Sequence, residues 1–264
     1  MEKGNWEILT IRSGCVEEKS KHFLADEPGC SGRRGRNPEK KQKLNDENTA
    51  RHAARLLNIN YRAGDILLGC DFDGQAMDRL RERADRLRAE LPEMRSEDLL
   101  WLAAKREAEL YLDRVRRRCK RDGTPLRYMI WVSDMDGKTG EMVRVHLHLV
   151  INREALPACR EKWGRGRVIG KPLRQEDDYT ALAEYLCNQV RRIPGQKKFV
   201  TSRNLDKPVV RRRMAASDAE LRVPKGCRLL YRGAHEPGWT SQYIRYFRPR
   251  RAGPEGGGEN SCEV

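Results

Sequence analysis

The stretch Val143-Arg-Val-His-Leu-His-Leu-Val-Ile-Asn152 organises the chain, because its β-prone apolar residues alternate with polar ones. Side chains alternate between the two faces of a strand, so His146 and His148 are predicted to share one face, with Cα atoms about 6.6 Å apart. Leu147 then points to the opposite face, into the core. Two imidazoles side by side can each offer a neutral nitrogen to a metal ion. The alternative is two histidines on a solvated sheet face.

A second strand is predicted immediately before this stretch. Residues 126–134 are rich in β-prone residues, and Asp136-Gly137 with Gly140 form a turn signal, which together indicate an antiparallel hairpin. Asp134 then lies at the end of its strand, within reach of the histidine face. It is the best third metal ligand that the local sequence supplies. Residues 66–72 form a further apolar run and are predicted to be a buried strand.

Helices are predicted at residues 48–57, 76–91, 97–121 and 179–192. The third of these carries an apolar stripe at three- and four-residue steps and is ended by Asp122-Gly123. Its last turns hold Arg116, Arg117 and Arg118. Cations at a helix C-terminus are favoured by the macrodipole, so these arginines indicate either an ordinary solvated helix end or a phosphate contact.

The last predicted helix contains Tyr185, which lies at the boundary of its apolar face. By itself this position suits a packing residue. However, the helix is followed by closely spaced cations, and positive charge beside an aromatic hydroxyl suits a strand of phosphates. These cations are candidate DNA contacts, and Arg144 on the histidine strand is another. Outside the 116–118 cluster the candidates are therefore Arg144, Arg191, Arg192, Lys197, Lys198 and Arg203.

Composition points to a polyanionic partner. The net charge is +15 and the pI about 9.7, which favours nucleic acid first and an anionic membrane surface second. No run of 18 apolar residues and no secretory signal core occur, so no membrane span is expected. The eight cysteines are scattered without a Cys-x-x-Cys pair, which indicates reduced thiols in a cytoplasmic protein and argues against a zinc ribbon.

The expected organisation has three parts. Residues 6–11 have the pattern of a short strand. Most of the rest of residues 1–48 is polar, basic and glycine-rich and is predicted to be a flexible arm that orders on a partner or serves as a plain solubilising tail. Residues 49–248 are predicted to form one α+β domain with a central antiparallel sheet of about five strands and helices packed on it. Residues 249–264 are predicted to be a disordered tail.

The order of these elements resembles the rolling-circle replication initiators (Rep proteins) of the His-hydrophobe-His, or HUH, endonuclease superfamily, as found in plasmids and bacteriophages. The likeness covers residues 58–205, more weakly to 247. Residues 131–134 match a strand whose last residue is usually Glu, and 144–150 match the histidine motif. Residues 183–188 resemble the Tyr-x-x-Lys nucleophile motif with Asn188 in place of Lys. Residues 66–72 lack the family's Thr positions, and 201–208 resemble a Ser-Arg-Asn-Leu segment of this group.

The resemblance implies an activity. Tyr185 would be the nucleophile that cuts and rejoins single-stranded DNA at a replication origin through a phosphotyrosine intermediate. His146, His148 and Asp134 would hold one divalent cation, Mg²⁺ or Mn²⁺. The chain has no Walker motif, so a separate helicase is expected to open the duplex. Two alternatives stay open: a basic nucleic-acid-binding protein with a decayed HUH site, and a relaxase or single-tyrosine transposase with the same chemistry.

Overall fold

The computed structural model describes residues 6–24, 38–233 and 240–249, which divide into two compact units. Residues 32–208 form the central unit, and residues 1–31 with 209–264 form the terminal unit. The strands are β1 (Trp6–Ser13), β2 (Val16–Phe23), β3 (Ile66–Asp71), β4 (Tyr128–Met135), β5 (Met142–Ile151), β6 (Val168–Pro172), β7 (Val200–Thr201), β8 (Val209–Ala215), β9 (Arg228–Gly233) and β10 (Thr240–Phe247). The helices are α1 (Pro38–Asn60), α2 (Gly74–Glu90), α3 (Ser96–Arg121), α4 (Leu156–Trp163) and α5 (Thr180–Asn188), with a short 3₁₀ turn at Arg153–Ala155.

The central unit contains a five-stranded antiparallel sheet in the order β6-β3-β5-β4-β7. The histidine strand β5 is therefore its middle strand. Leu147 and Leu149 are fully buried on one face, as the alternation in the sequence predicts. This confirms an α+β architecture with an antiparallel sheet of five strands.

Helices cover both faces of this sheet. On the Leu147 face, α3 packs against α2 and α4, and the Trp101 Nε1–H donates to the Val132 carbonyl of β4. Tyr111 of α3 packs edge-on against Trp163 and donates to the Cys159 carbonyl, which ties α3 to α4. On the histidine face lies α5, against which α1 packs. The site is therefore positioned between a rigid sheet and one short helix.

The terminal unit is a second five-stranded antiparallel sheet, in the order β8-β1-β2-β10-β9. Its small core consists of Ile8, Leu221, Ile244 and Tyr246. Lys21 is also buried, and its ammonium donates to two backbone carbonyls, Ser217 at 2.6 Å and Ala219 at 2.9 Å. These bonds satisfy a cation that burial would otherwise destabilise.

The structure differs from the expected flexible N-terminal arm. β1 and β2 form a hairpin that pairs with β8 and β10, and α1 begins at residue 38, ten residues before the expected helix. Both partner strands of the hairpin come from the far end of the chain, so no local pattern signals them. Residues 25–37 of the expected arm lie outside the described residues, as does the expected tail from residue 250.

The expected single domain over 49–248 is also divided differently. Its strands after Pro208 belong to the terminal unit rather than to the sheet that carries the histidines. None of the helices in the described ranges is both long and apolar enough to cross a membrane.

Candidate active site

The two histidines lie side by side on the middle strand of the central sheet. The antiparallel register places Ser133 of β4 and Asp71 of β3 directly beside His146, and Gly69 of β3 beside His148. Residues that are directly opposite in such a register share a face. The histidine face is therefore fixed by three paired strands, which is a rigid base for a site.

Three atoms of the kind that bind metal ions lie close together on this face and are called the three donor atoms. His146 Nε2 lies 3.1 Å from His148 Nε2, which in turn lies 3.0 Å from Gln189 Oε1. The Gln189 amide nitrogen lies 3.4 Å from the Tyr185 carbonyl, to which it donates. Since an amide nitrogen can only donate there, the amide oxygen is the atom that faces the histidines.

The hydrogen bonds of the pair define which ring nitrogens are free. His146 Nδ1 lies 2.9 Å from the Arg144 carbonyl, which can only accept. In the neutral ring Nδ1 therefore carries the hydrogen and Nε2 carries the lone pair. Burial, followed by the neighbouring His146, lowers the pKa of His148 to about 4, so His148 is neutral at pH 7. Its Nε2 faces two acceptors, His146 Nε2 and Gln189 Oε1, and therefore carries the hydrogen. Metal binding would require that hydrogen to move to Nδ1, which is buried without a hydrogen-bond partner among the described residues.

The spacing of the three donor atoms fits a small divalent cation. Ligands about 2.1 Å from a metal and at right angles to each other lie about 3.0 Å apart. The two observed separations, 3.1 and 3.0 Å, are close to this value and are also ordinary hydrogen-bond distances. His146, His148 and Gln189 are therefore the residues that could hold a metal ion. The described part of the chain contains no cluster of three His, Cys, Asp or Glu suited to a metal, because the third member here is an amide.

The backbone of Gln189 is held by an irregularity in β4. The register of β4 and β5 shifts between Ser133 and Met135, and the Asp134 and Met135 amides both donate to the Gln189 carbonyl at 3.0 Å. Bulges near active sites commonly redirect a strand or its neighbours in this way. Gly137 in the following turn permits the close approach, since a Cβ there would lie 3.2 Å from Gln189 Cγ.

Asp134 does not join the three donor atoms. Its carboxylate accepts from the Arg191 guanidinium and from the Arg191 amide at 3.4 Å, and Arg191 also donates to Asp98 at 3.1 Å. The side chains of Asp134, Arg191 and Asp98 are 5, 10 and 9% exposed. The structure thus pairs two predicted site residues, Asp134 and Arg191, with each other in a buried network. Asp71 is a carboxylate on the histidine face, and Arg167 binds it at 3.0 Å.

Tyr185, the predicted nucleophile, lies beside the histidines. Its ring centroid lies 6.3 Å from that of His148, and 46% of the residue is exposed. Gln189 directly follows α5 and is four positions after Tyr185, so the two side chains lie on the same side of this helix end. Tyr179, the other tyrosine of this region, is buried, and its hydroxyl donates to the Arg174 carbonyl at 3.0 Å. Tyr185 is therefore the accessible hydroxyl.

The predicted DNA-contacting cations at the end of α3 are exposed or partly exposed. Arg116 pairs with Asp113 and lies 3.2 Å from the Tyr128 hydroxyl, whereas Arg118 binds Glu161 at 2.7 Å. Arg117 is exposed. Arg203 joins Arg116 in lining a cavity of about 800 Å³ between α3 and β7.

The remaining predicted cations lie nearer the tyrosine helix. Arg144 is exposed on β5, next to His146. Lys198 donates to the Cys187 carbonyl of α5 and pairs with Asp46, each at 3.2 Å; the Asp46 carboxylate is 3.9 Å from Arg192. Lys197 is exposed and forms no ion pair with the described residues.

Sequence reasoning missed Gln189, although a signal was present. A residue four positions after Tyr185 shares its helix face, and an amide oxygen at that position can reach what the hydroxyl reaches. Comparisons with known proteins add nothing to the geometry, since no family model, curated protein or solved structure matches this chain.

Proposed function

We propose that the protein is a metal-dependent endonuclease and strand transferase that cuts and rejoins single-stranded DNA through Tyr185, and that it initiates rolling-circle replication. One observation carries the chemistry: an accessible tyrosine and a two-histidine, one-amide cluster share a face of the central unit. The strongly basic chain supports a nucleic-acid substrate. The replication role rests on the resemblance of its motifs to HUH Rep proteins.

The reaction balances without an external energy source. The Tyr185 phenolic oxygen forms a bond to the scissile phosphorus, and the bond from phosphorus to the 3′ oxygen breaks. The tyrosine proton leaves to solvent, and the 3′ oxygen takes up a proton to become a free 3′-hydroxyl. Because one phosphodiester replaces another, attack by a 3′-hydroxyl on the phosphotyrosine rejoins the strand.

The metal ligands would be His146, His148 and Gln189. A bound Mg²⁺ or Mn²⁺ would polarise the scissile phosphate and stabilise the charge that develops on it. The protein's own part is positioning. The Arg144 carbonyl orients the His146 ring, and the bulge amides of Asp134 and Met135 hold Gln189.

A covalent adduct tests this proposal. The protein is incubated with labelled single-stranded DNA of mixed sequence and Mn²⁺, and the products are separated by denaturing electrophoresis. We expect an adduct with the natural chain and with Tyr179→Phe, and none with Tyr185→Phe. Tyr179→Phe is the matched control, since it loses one buried hydrogen bond worth about 1 kcal/mol but no accessible hydroxyl.

Two further variants examine the metal ligands. Gln189→Ala should reduce the adduct, and Gln189→Glu should retain it because a carboxylate supplies the same oxygen. DNA found on the tryptic peptide that holds Tyr179 would contradict the assignment of the nucleophile. The absence of any adduct across metals and DNA sequences would favour a nucleic-acid-binding protein without cleavage activity.

A further inference from the structure

A second cavity of the central unit lies between α1 and the segment that follows α5. Its volume is about 690 Å³, within the range of roughly 300–1,000 Å³ that is typical of small-molecule sites. Its chemistry differs from that of the candidate active site, because it combines aromatic rings, free amides and lysines. Its lining includes Asn45, Asn48, His52, Lys197, Lys198 and Phe199.

Two rings form the aromatic part of the wall. The ring centroids of His52 and Phe199 are 5.9 Å apart at an interplanar angle of 34°, and those of Phe199 and Trp131 are 5.6 Å apart at 32°. Trp131 is fully buried, whereas His52 is exposed. The rings therefore form a tilted series that runs from the core to the cavity. A flat aromatic ligand can continue such a series by stacking.

Polar groups surround these rings. Asn45 and Asn48 are exposed, and their amide groups form no hydrogen bond within the described part of the chain. An amide offers a donor and an acceptor together, the pattern that the edge of a nucleobase requires. Partial loss of water around the ring, which packs against Phe199, and the nearby Arg55 lower the pKa of His52, so the ring is a neutral stacking surface at pH 7.

Cations complete the wall. Lys197 is exposed, and Lys198 is partly buried with its ammonium bound to Asp46 and to the Cys187 carbonyl. An ammonium without a carboxylate partner, such as that of Lys197, is suited to a phosphate oxygen. Amides, rings and a lysine together match a nucleotide better than a purely apolar or purely anionic ligand.

The cavity is on the same side of the sheet as the candidate active site. Trp131 pairs with His148 across β4 and β5, so both side chains project to that side. The Cys187 carbonyl that receives the Lys198 bond belongs to α5, two residues after Tyr185. A strand with one phosphate at Tyr185 can therefore extend along α5 towards the cavity.

We propose that this cavity binds one nucleotide of single-stranded DNA, with its base stacked on His52, which Phe199 supports from behind, and its phosphate at Lys197. The inference rests on the proposed function only in taking single-stranded DNA as the ligand, and it needs no cleavage. The cavity would fix which nucleotide lies at a set distance from the scissile phosphate.

The test separates base contacts from phosphate contacts. Binding of the full chain is measured without metal, by fluorescence anisotropy, to labelled oligo(dT) and to an abasic strand with the same number of phosphates. We expect the natural chain to prefer oligo(dT). His52→Ala should weaken oligo(dT) binding about tenfold while leaving the abasic strand unaffected, since one base loses its stacking partner. Phe199→Leu should act in the same direction, because the His52 ring loses the ring that supports it.

Two variants serve as controls. Lys197→Gln should weaken both strands by the same factor, because both carry phosphates. Phe23→Ala removes an exposed ring of the terminal unit and should leave the preference unchanged. Phe199 also packs against Trp131, so Phe199→Leu could lower the melting temperature. In that case His52→Ala alone decides the test.

Equal losses on the two strands, or no loss with either ring variant, would overturn the proposal. The same holds if the natural chain does not prefer oligo(dT). Because cleavage is not measured, these outcomes are independent of the adduct assay. A missing adduct with a preserved base preference would reject the proposed chemistry and keep the nucleotide site.

Discussion

Replacing Arg191 with methionine removes the cation from a buried network of three side chains. Arg191 binds Asp134 and Asp98, and none of the three is more than 10% exposed. Removing one partner of a buried ion pair costs about 3–5 kcal/mol, because the remaining charge is left without compensation. For a unit of this size each kcal/mol corresponds to about 2–4 °C, so the melting temperature should fall by about 10 °C.

The carboxylates of Asp98 and Asp134 should not contribute equally to this loss of stability. Asp98 also receives two hydrogen bonds from Arg95, at 3.0 and 3.2 Å, and keeps them in the variant. Asp134 loses its guanidinium partner. The double variant Arg191→Met with Asp134→Asn should therefore recover most of the lost stability. Burial already raises the pKa of Asp134, so its carboxylate should become protonated more readily in Arg191→Met, and the deficit should shrink as the pH falls.

Thermal unfolding followed by circular dichroism measures this effect, and anisotropy with single-stranded DNA provides the comparison. Arg192→Met is the matched control, since Arg192 is the next residue and is 42% exposed. The reasoning is refuted if Arg191→Met melts within about 2 °C of the natural chain and instead loses DNA affinity. Arg191 would then be the phosphate contact that the sequence predicts.

Two more predictions concern the histidine face. The pKa of His148 is lowered from 6.5 to about 4, so in metal-free protein its contribution to stability is complete above pH 6.5 and is lost as the pH falls through 4. At 1.36 kcal/mol per pKa unit, the loss in the free energy of unfolding is about 3 kcal/mol. Urea unfolding of the natural chain and of His148→Asn across this pH range measures the loss. An NMR titration of His148 with a midpoint above 6 would contradict the prediction. Gly166 has a φ of +139°, and a Cβ there would clash with the Asp71 carbonyl and lie 2.7 Å from the Asp73 nitrogen. Gly166→Ala should therefore cost about 3 kcal/mol in urea unfolding, against about 1 kcal/mol for Gly123→Ala, where the space around the Cβ is open; equal costs would show that the clash is relieved by movement.

The elements with strong local patterns were predictable. The hairpin of β4 and β5 follows from alternation and turn residues, and α3 follows from its apolar stripe and its end at Asp122-Gly123. The shared face of His146 and His148 needs only the period of a strand. The terminal sheet was not predictable in the same way, because the partners of β1 and β2 come after residue 208 and no short window contains them.

The site was predictable in its residue types more than in its pairings. Asp134 has the charge of a metal ligand and Arg191 has the charge of a DNA contact, and the sequence analysis assigned them to these two roles. Tertiary packing brings them together, with a spacing of 57 positions along the chain. An ion pair formed across that distance depends on where α5 ends relative to β4, which local propensity does not determine. Gln189 is different, because its spacing of four from Tyr185 was a local signal, and only the contact of its backbone with β4 depends on tertiary packing.

The pairing of β1 with β8 determines the order in which parts of the protein can fold during synthesis. Trp6 is opposite Ala215, so more than two hundred further residues must be synthesised before β8 can cover the edge of β1. The central unit has all of its own strands once Pro208 has emerged and can fold while synthesis continues. During that interval the β1–β2 hairpin exposes two unpaired edges, which are open to pairing with a neighbouring chain.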